Sequence, residues 1–201
     1  MTTLFVGTGN RKKLDELRRR LDGLDVTIVT PGDLADPPPA PEETTGTFSG
    51  NATQKALYYA ERTGHLTLAD DSGLEVDALG GLPGVDSAYY AGHPSDDGAN
   101  NRKLLESLDG VPLERRTARY RCVLVLAVPG RAVWTADGTC EGRIGLSARG
   151  SAGFGYDPLF LVGDGTRTFG ELSPDEKDRI SHRGKALALL RRDLPSVLRD
   201  L

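Results

Sequence analysis

The strongest constraint on the fold is an uninterrupted apolar run at residues 122–128, Cys-Val-Leu-Val-Leu-Ala-Val. A strand of this composition is typical of positions where both faces are buried, so the run predicts a central strand of a sheet. A second β-rich run, residues 132–143, is joined to it by the turn Pro129-Gly130. Apolar residues at helical spacing predict helices at residues 10–23, up to about 62, at 97–108 and in the C-terminal part. The pattern predicts an α/β fold, with a long mixed central sheet, flanking helices and two lobes around a cleft.

The bulk properties of the chain narrow the range of its partners. Its 201 residues carry a net charge of −4, with a pI of about 5.4, which argues against nucleic-acid binding through a broad basic surface. The N-terminus lacks the features of a signal peptide and no apolar run has the length of a membrane span, so we expect no membrane association. Cys122 and Cys140 lack metal-ligand spacing, which predicts buried thiols in a reducing cytoplasm.

Two adjacent carboxylates, Asp70 and Asp71, follow the apolar residues 66–69 and run into Ser72-Gly73. We expect the strand to end at this pair, where acid, hydroxyl and glycine together are typical of a site for a hard metal ion and a phosphate. A solvated turn is the alternative, because Asp-Ser-Gly is favourable turn chemistry. The proline-rich loop at residues 31–46 contains two further acids, Glu42 and Glu43. If the loop folds over the pair, one glutamate and one aspartate suffice for Mg²⁺ with phosphate and water.

A second segment, residues 8–13, joins the first predicted strand to the first helix with the sequence Thr-Gly-Asn-Arg-Lys-Lys. Backbone N–H groups at a helix start, supported by Lys13, suit a phosphate tail. The segment lacks the spacing of a Walker A loop. The alternative is a glycine turn in which Asn10 caps the helix and the lysines are exposed.

Two segments near the C-terminus carry groups that suit a base. Residues 153–158, Gly-Phe-Gly-Tyr-Asp-Pro, half match an RNA-binding RNP1 strand, but Asp157 and the following proline argue against a stacking surface for RNA. We favour a loop that offers Phe154 to one base, with a structural aromatic turn as the alternative. His182 and Arg183 follow Lys177 in a predicted helical stretch and are suitable donors to the keto edge of a base, although an isolated histidine is more often structural.

In this order, the segments resemble the inosine triphosphate pyrophosphatase family over nearly the whole chain. The matches include Phe154-Gly155-Tyr156-Asp157-Pro158, and the last three, Glu171-Leu172, Glu176-Lys177 and Ile180-Ser181-His182-Arg183-Gly184, are together very specific. Gly50 departs from the pattern, because relatives commonly carry glutamate there.

The resemblance implies one nucleotide pyrophosphatase domain over residues 1–201, a homodimer and Mg²⁺ dependence. It implies hydrolysis of ITP, dITP and XTP to the nucleoside monophosphate and pyrophosphate, an activity that cleanses the nucleotide pool. Glu43 and Asp71 are the implied magnesium ligands, Asp70 supports them, and Asp71 is the implied catalytic base. The implied substrate contacts are Thr8, Gly9, Asn10, Arg11, Lys12, Lys13, Lys55, Ser72, Phe154, Gly155, Tyr156, Asp157, Lys177, His182 and Arg183.

Two other functions stay open at this point. One is a different nucleotide hydrolase, either a phosphomonoesterase or a pyrophosphatase for modified pyrimidine triphosphates. The other is a nucleotide or RNA sensor without catalysis. The acidic pI argues against RNA, and Asp70, Asp71 and Lys13 argue against a purely binding role, because a sensor needs no general base.

Overall fold

The computed structural model describes residues 2–201, which form five α-helices and eight β-strands. The helices are α1 (Arg11–Leu21), α2 (Phe48–Thr63), α3 (Asp97–Ser107), α4 (Pro174–Ile180) and α5 (His182–Arg199). The strands are β1 (Thr2–Val6), β2 (Val26–Val29), β3 (Leu66–Val76), β4 (Pro83–Gly84), β5 (Thr117–Val128), β6 (Arg131–Ile144), β7 (Phe160–Val162) and β8 (Arg167–Thr168).

The strands form one mixed sheet in the order β2-β1-β3-β5-β6-β7-β8, with β4 paired to β3. β1 runs parallel to β2 and β3, with Leu4 opposite both Ile28 and Leu66. The pairs β3–β4, β6–β7 and β7–β8 are antiparallel. The predicted α/β class and mixed sheet are therefore confirmed. The apolar run at 122–128 lies in β5, inside the strand order, and residues 122–127 are almost fully buried.

The chain divides into two compact units. The first consists of residues up to Asp71, Cys122–Gly138 and Gly184–Leu201. Its core contains the apolar faces of α1 and α5 together with strand residues. The core residues are Leu4, Val6, Leu17, Leu21, Leu66, Leu68, Cys122, Leu124, Leu126, Ala186, Leu187, Leu190 and Leu194. Burial of these aliphatic side chains is what stabilises this unit.

The second unit consists of Ser72–Arg121 and Thr139–Arg183 and has a more aromatic core. The ring of Tyr120 lies 4.7 Å from that of Phe160 and 5.9 Å from that of Phe169, measured between centroids. Leu104 and Leu108, from α3 and the residue after it, are fully buried against this cluster. Tyr156, from the segment at 153–158, belongs to this core.

Two predictions about element boundaries are wrong. The acid pair does not end a strand, because β3 continues through Asp70 and Asp71 to Val76, where its later residues pair with β4. The helical stretch around His182 is two helices, because Ser181 has extended backbone angles, φ −68° and ψ 157°. His182 is consequently the first residue of α5.

Among residues 2–201, no helix combines the length and the apolar character needed to cross a membrane. Cys122 and Cys140 are both buried thiols, as predicted.

Candidate active site

Lys55 joins the two carboxylates that the sequence analysis assigned to a metal. Its Nζ lies 2.8 Å from Glu43 Oε1 and 3.6 Å from Asp71 Oδ1. The loop at 31–46 therefore does bring Glu43 to Asp71. Lys55 and Asp71 are buried, whereas the Glu43 side chain is 40% exposed, so one edge of this group is open to solvent. A lysine as buried as this is normally found only with anionic partners.

Asn51 fixes the orientation of the Asp71 carboxylate. Its Oδ1 accepts hydrogen bonds from the backbone N–H of Thr45, at 3.1 Å, and from the Thr45 hydroxyl, at 2.7 Å. A backbone N–H can only donate, so the oxygen of the Asn51 amide must face Thr45. The amide nitrogen therefore faces Asp71 and donates to its Oδ2 at 3.0 Å.

The surroundings shift the pKa values of both Asp71 and Lys55. Burial raises the pKa of Asp71 to about 6; the Lys55 ammonium opposes this shift and the Glu43 carboxylate adds to it. Burial alone would lower the pKa of Lys55, but the carboxylates of Asp70, Asp71 and Glu43 outweigh it, so the pKa is raised. Lys55 thus stays protonated at neutral pH.

Asp70 has a different partner from Asp71. Successive residues of a strand point to opposite faces, and Asp70 forms an ion pair with Lys13, Nζ to Oδ2 at 2.7 Å. Asn10 caps α1 by accepting from the backbone N–H groups of Lys12 and Lys13. The capping alternative for this segment thus describes Asn10 correctly, and a phosphate would compete with its side chain for these two donors.

The residues present fit a magnesium ion. Glu43 and Asp71 already turn oxygens toward one cation, the ammonium of Lys55. Mg²⁺ takes one or two carboxylates together with substrate phosphate oxygens and water. The part of the chain from residue 2 to 201 contains no group of three or more His, Cys, Asp and Glu side chains arranged for a metal. A magnesium site here would be built on these two carboxylates and completed by the substrate.

In the second unit, Asp157 organises the aromatic loop. Its Oδ2 accepts from the backbone N–H of Phe154, at 2.7 Å, and from Lys177 Nζ, at 2.6 Å. Asp157 and Lys177 are both buried, so each compensates the charge of the other. A Cβ on Gly153 would lie 2.0 Å from Asp157 Oδ2, and Gly153 has a φ of +78°, so both space and backbone angle require glycine there.

Lys177 and Arg183 lie near the Phe154 ring, and His182 precedes Arg183 at the start of α5. Lys177 Nζ lies 4.6 Å and Arg183 Cζ 5.7 Å from the centroid of the Phe154 ring. His182 stacks on Tyr120, with centroids 4.6 Å apart and ring planes 8° apart. Arg183 also donates to Ser72 Oγ at 2.7 Å. This group, Phe154, Lys177, His182 and Arg183, is called the base cluster below.

The structure separates the predicted site residues into those that meet and those that do not. Glu43, Lys55 and Asp71 meet in the first unit, and the base cluster meets with Ser72 and Asp157 in the second. Tyr156 belongs to the core, where its hydroxyl donates to the Ser87 carbonyl at 2.8 Å. Arg11 and Lys12 are exposed at the start of α1. Thr8 accepts a hydrogen bond from the backbone N–H of Asn10.

Asn51 and Tyr120 were given no role from the sequence, although Asn51 with Lys55 is among the motifs that resemble the inosine triphosphate pyrophosphatase family. Asn51 begins the Asn-x-x-x-Lys spacing that places it one helical turn from Lys55, on the same face of α2. That spacing was a usable signal. Tyr120 offered none, because its contact with His182 joins residues far apart in the chain.

Comparison with known proteins places this chain among close relatives. The Ham1 family profile matches residues 4–193. A dITP/XTP pyrophosphatase of Desulforamulus reducens is 52% identical over 184 residues, covering 92% of this chain and 91% of that protein. One from Geobacter sulfurreducens is 50% identical, covering 95% and 96%. The structure of a HAM1 protein from Coxiella burnetii superposes with a TM-score of 0.89 at 38% identity, covering 98% of this chain and all of that one.

The match extends over nearly the whole chain, in sequence and in structure alike. The resemblance found in the motifs is thereby confirmed: the chain belongs to the Ham1 family.

Proposed function

We propose that this protein hydrolyses non-standard purine nucleoside triphosphates, ITP, dITP and XTP, to the monophosphate and pyrophosphate, with Mg²⁺ as cofactor. The chain is a hydrolase of the nucleoside-triphosphate pyrophosphatase class, in keeping with its family and with the names of its relatives. The observation that carries the proposal is the convergence of Glu43 and Asp71 on one buried cation, Lys55. A triphosphate needs both positive charge and an acidic metal site, and this group supplies both.

The phosphate end of the substrate is assigned to the first unit. Lys13 and Lys55 carry the positive charges that a triphosphate requires. Glu43 and Asp71 would hold magnesium, which would supply neutralisation of the phosphate charge. Asp71 accepts the proton of the attacking water, and Asn51 holds its carboxylate in one orientation. A positioned base of this kind contributes roughly two to four orders of magnitude in rate.

The purine base of the substrate is assigned to the base cluster. Phe154 offers a face for stacking, while His182 and Arg183 are donors for a keto oxygen at the six position of the purine. Adenine carries an amino group there, so donor would face donor, a mismatch that buried polar sites reject strongly. Guanine shares the keto oxygen, so its rejection requires a further contact. Replacing His182 with alanine should therefore narrow the preference for ITP over ATP.

The assay that tests the proposal measures pyrophosphate release from ITP, dITP, XTP, ATP, GTP and dUTP, with Mg²⁺ and with a chelator. We expect fast release from the first three, slow release from ATP and no turnover without the metal. Asp71→Asn should keep nucleotide binding and lose kcat, with the exposed Asp109→Asn as matched control. Near-normal turnover in Asp71→Asn would remove Asp71 from the role of base.

The products separate this function from its rivals. Release of pyrophosphate with monophosphate supports it, whereas inorganic phosphate alone would indicate a phosphomonoesterase. Preferred release from dUTP would indicate a pyrimidine enzyme. Binding of ITP without turnover, in the presence of Mg²⁺, would indicate a sensor.

We also propose that the protein acts as a homodimer in the cytoplasm, on the nucleotide pool. The family resemblance supports the dimer, and two buried thiols suit a reducing compartment. Light scattering coupled to size-exclusion chromatography tests the dimer directly, because a single peak at the monomer mass would contradict it.

A further inference from the structure

Two side chains of helix α3 form hydrogen bonds with the backbone of Gly155, one with its N–H and one with its carbonyl oxygen. Asp97 Oδ2 accepts a hydrogen bond from the Gly155 backbone N–H at 2.8 Å. Asn101 Nδ2 donates to the Gly155 carbonyl oxygen at 2.9 Å. Asp97 and Asn101 are four residues apart on one helix, so their side chains lie on the same face of α3. These two contacts are called the Gly155 clamp below.

With the clamp, the backbone N–H groups of two successive residues, Phe154 and Gly155, are both hydrogen-bonded to carboxylates. The N–H of Phe154 donates to Asp157, and the N–H of the following residue, Gly155, donates to Asp97. Gly155 has a φ of +61°. Glycine adopts positive and negative φ about equally readily, so its own preference does not select this conformation and the contacts do. The backbone that carries the Phe154 ring is therefore held by Asp157 on one side and by α3 on the other.

We propose that Asp97 and Asn101 are positioning residues, which hold the Phe154 ring where a purine base stacks on it. The proposal rests on the proposed function, because it takes Phe154 as the stacking surface. Neither side chain touches the substrate in this account. Their effect on affinity comes through the backbone of the loop, because a mobile ring must be ordered when the base binds.

The chemistry of Asn101 argues against a purely structural role. Its Oδ1 is buried and, among residues 2–201, has no hydrogen-bond partner. A buried acceptor without a partner costs free energy, and leucine, which has the same number and branching of side-chain heavy atoms, would avoid that cost. The side-chain amide of Asn101 also cannot adopt the flipped orientation, because its oxygen would then face the Gly155 carbonyl oxygen. What asparagine contributes at this position is the single donor to Gly155.

The test compares three variants of the full-length protein. Asp97→Ala and Asn101→Leu each remove one side of the clamp, while Asp97→Asn keeps an oxygen acceptor for the Gly155 N–H. Glu106→Gln, an exposed change on the same helix, is the matched control. For each protein, the measurements are KM and kcat for ITP, inhibition by IMP and by pyrophosphate, the melting temperature, and the exchange rate of the Gly155 amide by NMR.

We expect the first two variants to raise KM for ITP and the inhibition constant of IMP by about 3- to 10-fold, the range of one lost hydrogen bond. kcat and inhibition by pyrophosphate, which carries no base, should stay within about twofold of the unmodified protein, because the rest of the site is intact. Gly155 exchange should accelerate in Asp97→Ala, and Asp97→Asn should resemble the unmodified protein. The melting temperature of Asn101→Leu should not fall.

Other results would overturn the proposal. Unchanged KM and IMP inhibition in both variants would show that the clamp does not position the ring. Equal weakening of IMP and pyrophosphate inhibition, with a lower melting temperature, would show a structural role only. An unmodified protein that does not hydrolyse ITP would contradict the proposed function instead, and the Gly155 exchange rates would still report on the clamp.

Discussion

Asp71 is surrounded by groups that act in opposite directions on its charge. Burial disfavours the carboxylate, while Lys55 and the Asn51 amide stabilise it. The balance depends on two residues of α2, one helical turn apart, which reach the same side chain of β3. Asn51 adds orientation to this balance, since Thr45 fixes which end of its amide faces Asp71.

Removal of this amide should therefore impair catalysis more than folding. For Asn51→Ala we expect kcat for ITP to fall about 10- to 100-fold, because a hydrogen bond to a charged group contributes roughly 1.5–3 kcal/mol. Thr45→Ser, which keeps the hydroxyl that faces Asn51, is the control and should retain kcat. Steady-state pyrophosphate release and the melting temperature of each variant provide the measurement. A full kcat in folded Asn51→Ala would show that Asp71 needs no such support.

At the scale of elements, local signals in the sequence predicted helix starts well. Ser173, Pro174 and Glu176 form a capping-box pattern that is legible in the sequence, and this box is present at the start of α4. The signal suffices because a cap involves residues only three positions apart. The course of β3 through Asp70 and Asp71 could not be predicted in this way. It depends on lysines and a partner strand contributed by other parts of the chain.

The capping box also makes the stability of α4, which carries Lys177, depend on pH. Hydrogen bonds from Ser173 and the nearby Arg167 lower the pKa of Glu176 from its ordinary 4.5 to about 2. The folded state therefore favours the ionised carboxyl, and this contribution is fully present above about pH 4.5 and lost as the pH falls through about 2. Measured from pH 2 to 7, the melting temperature of the unmodified protein should exceed that of Glu176→Gln at neutral pH. The two melting temperatures should converge in acid. A difference that does not change with pH would contradict this, and the exposed Glu114→Gln serves as control.

At the scale of the whole molecule, the fold class followed from the apolar run of β5, whereas the site did not follow from any single pattern. Arg183 reaches Ser72 across 111 residues of sequence, and Lys13 reaches Asp70 across 57. Such contacts depend on strand order, which composition and periodicity do not encode. Local patterns indicated Lys13, Asp70 and Arg183 one by one, and the family resemblance added Ser72. Neither gave a signal for Tyr120, which the structure alone places against His182.

The two cores share no residue, and this separation predicts how core mutations combine. Leu190 is fully buried in the first unit and Leu104 in the second. We expect Leu190→Ala and Leu104→Ala each to lower the free energy of unfolding by about 2–5 kcal/mol, through lost burial and the cavity left behind. The two side chains belong to clusters that have no residue in common. The loss of unfolding free energy in the double variant should therefore equal the sum of the two single losses within about 0.5 kcal/mol.

Urea denaturation followed by tyrosine fluorescence measures these free energies, with the exposed Leu146→Ala as a control that should change stability little. A coupling well above 1 kcal/mol between the two substitutions would contradict independent packing. The strands β3, β5 and β6 and the helix α5 each contribute residues to both units. Additive losses would instead assign the stability of the first unit, which holds Lys55 and Asp71, and of the second unit, which holds the base cluster, to separate hydrophobic cores.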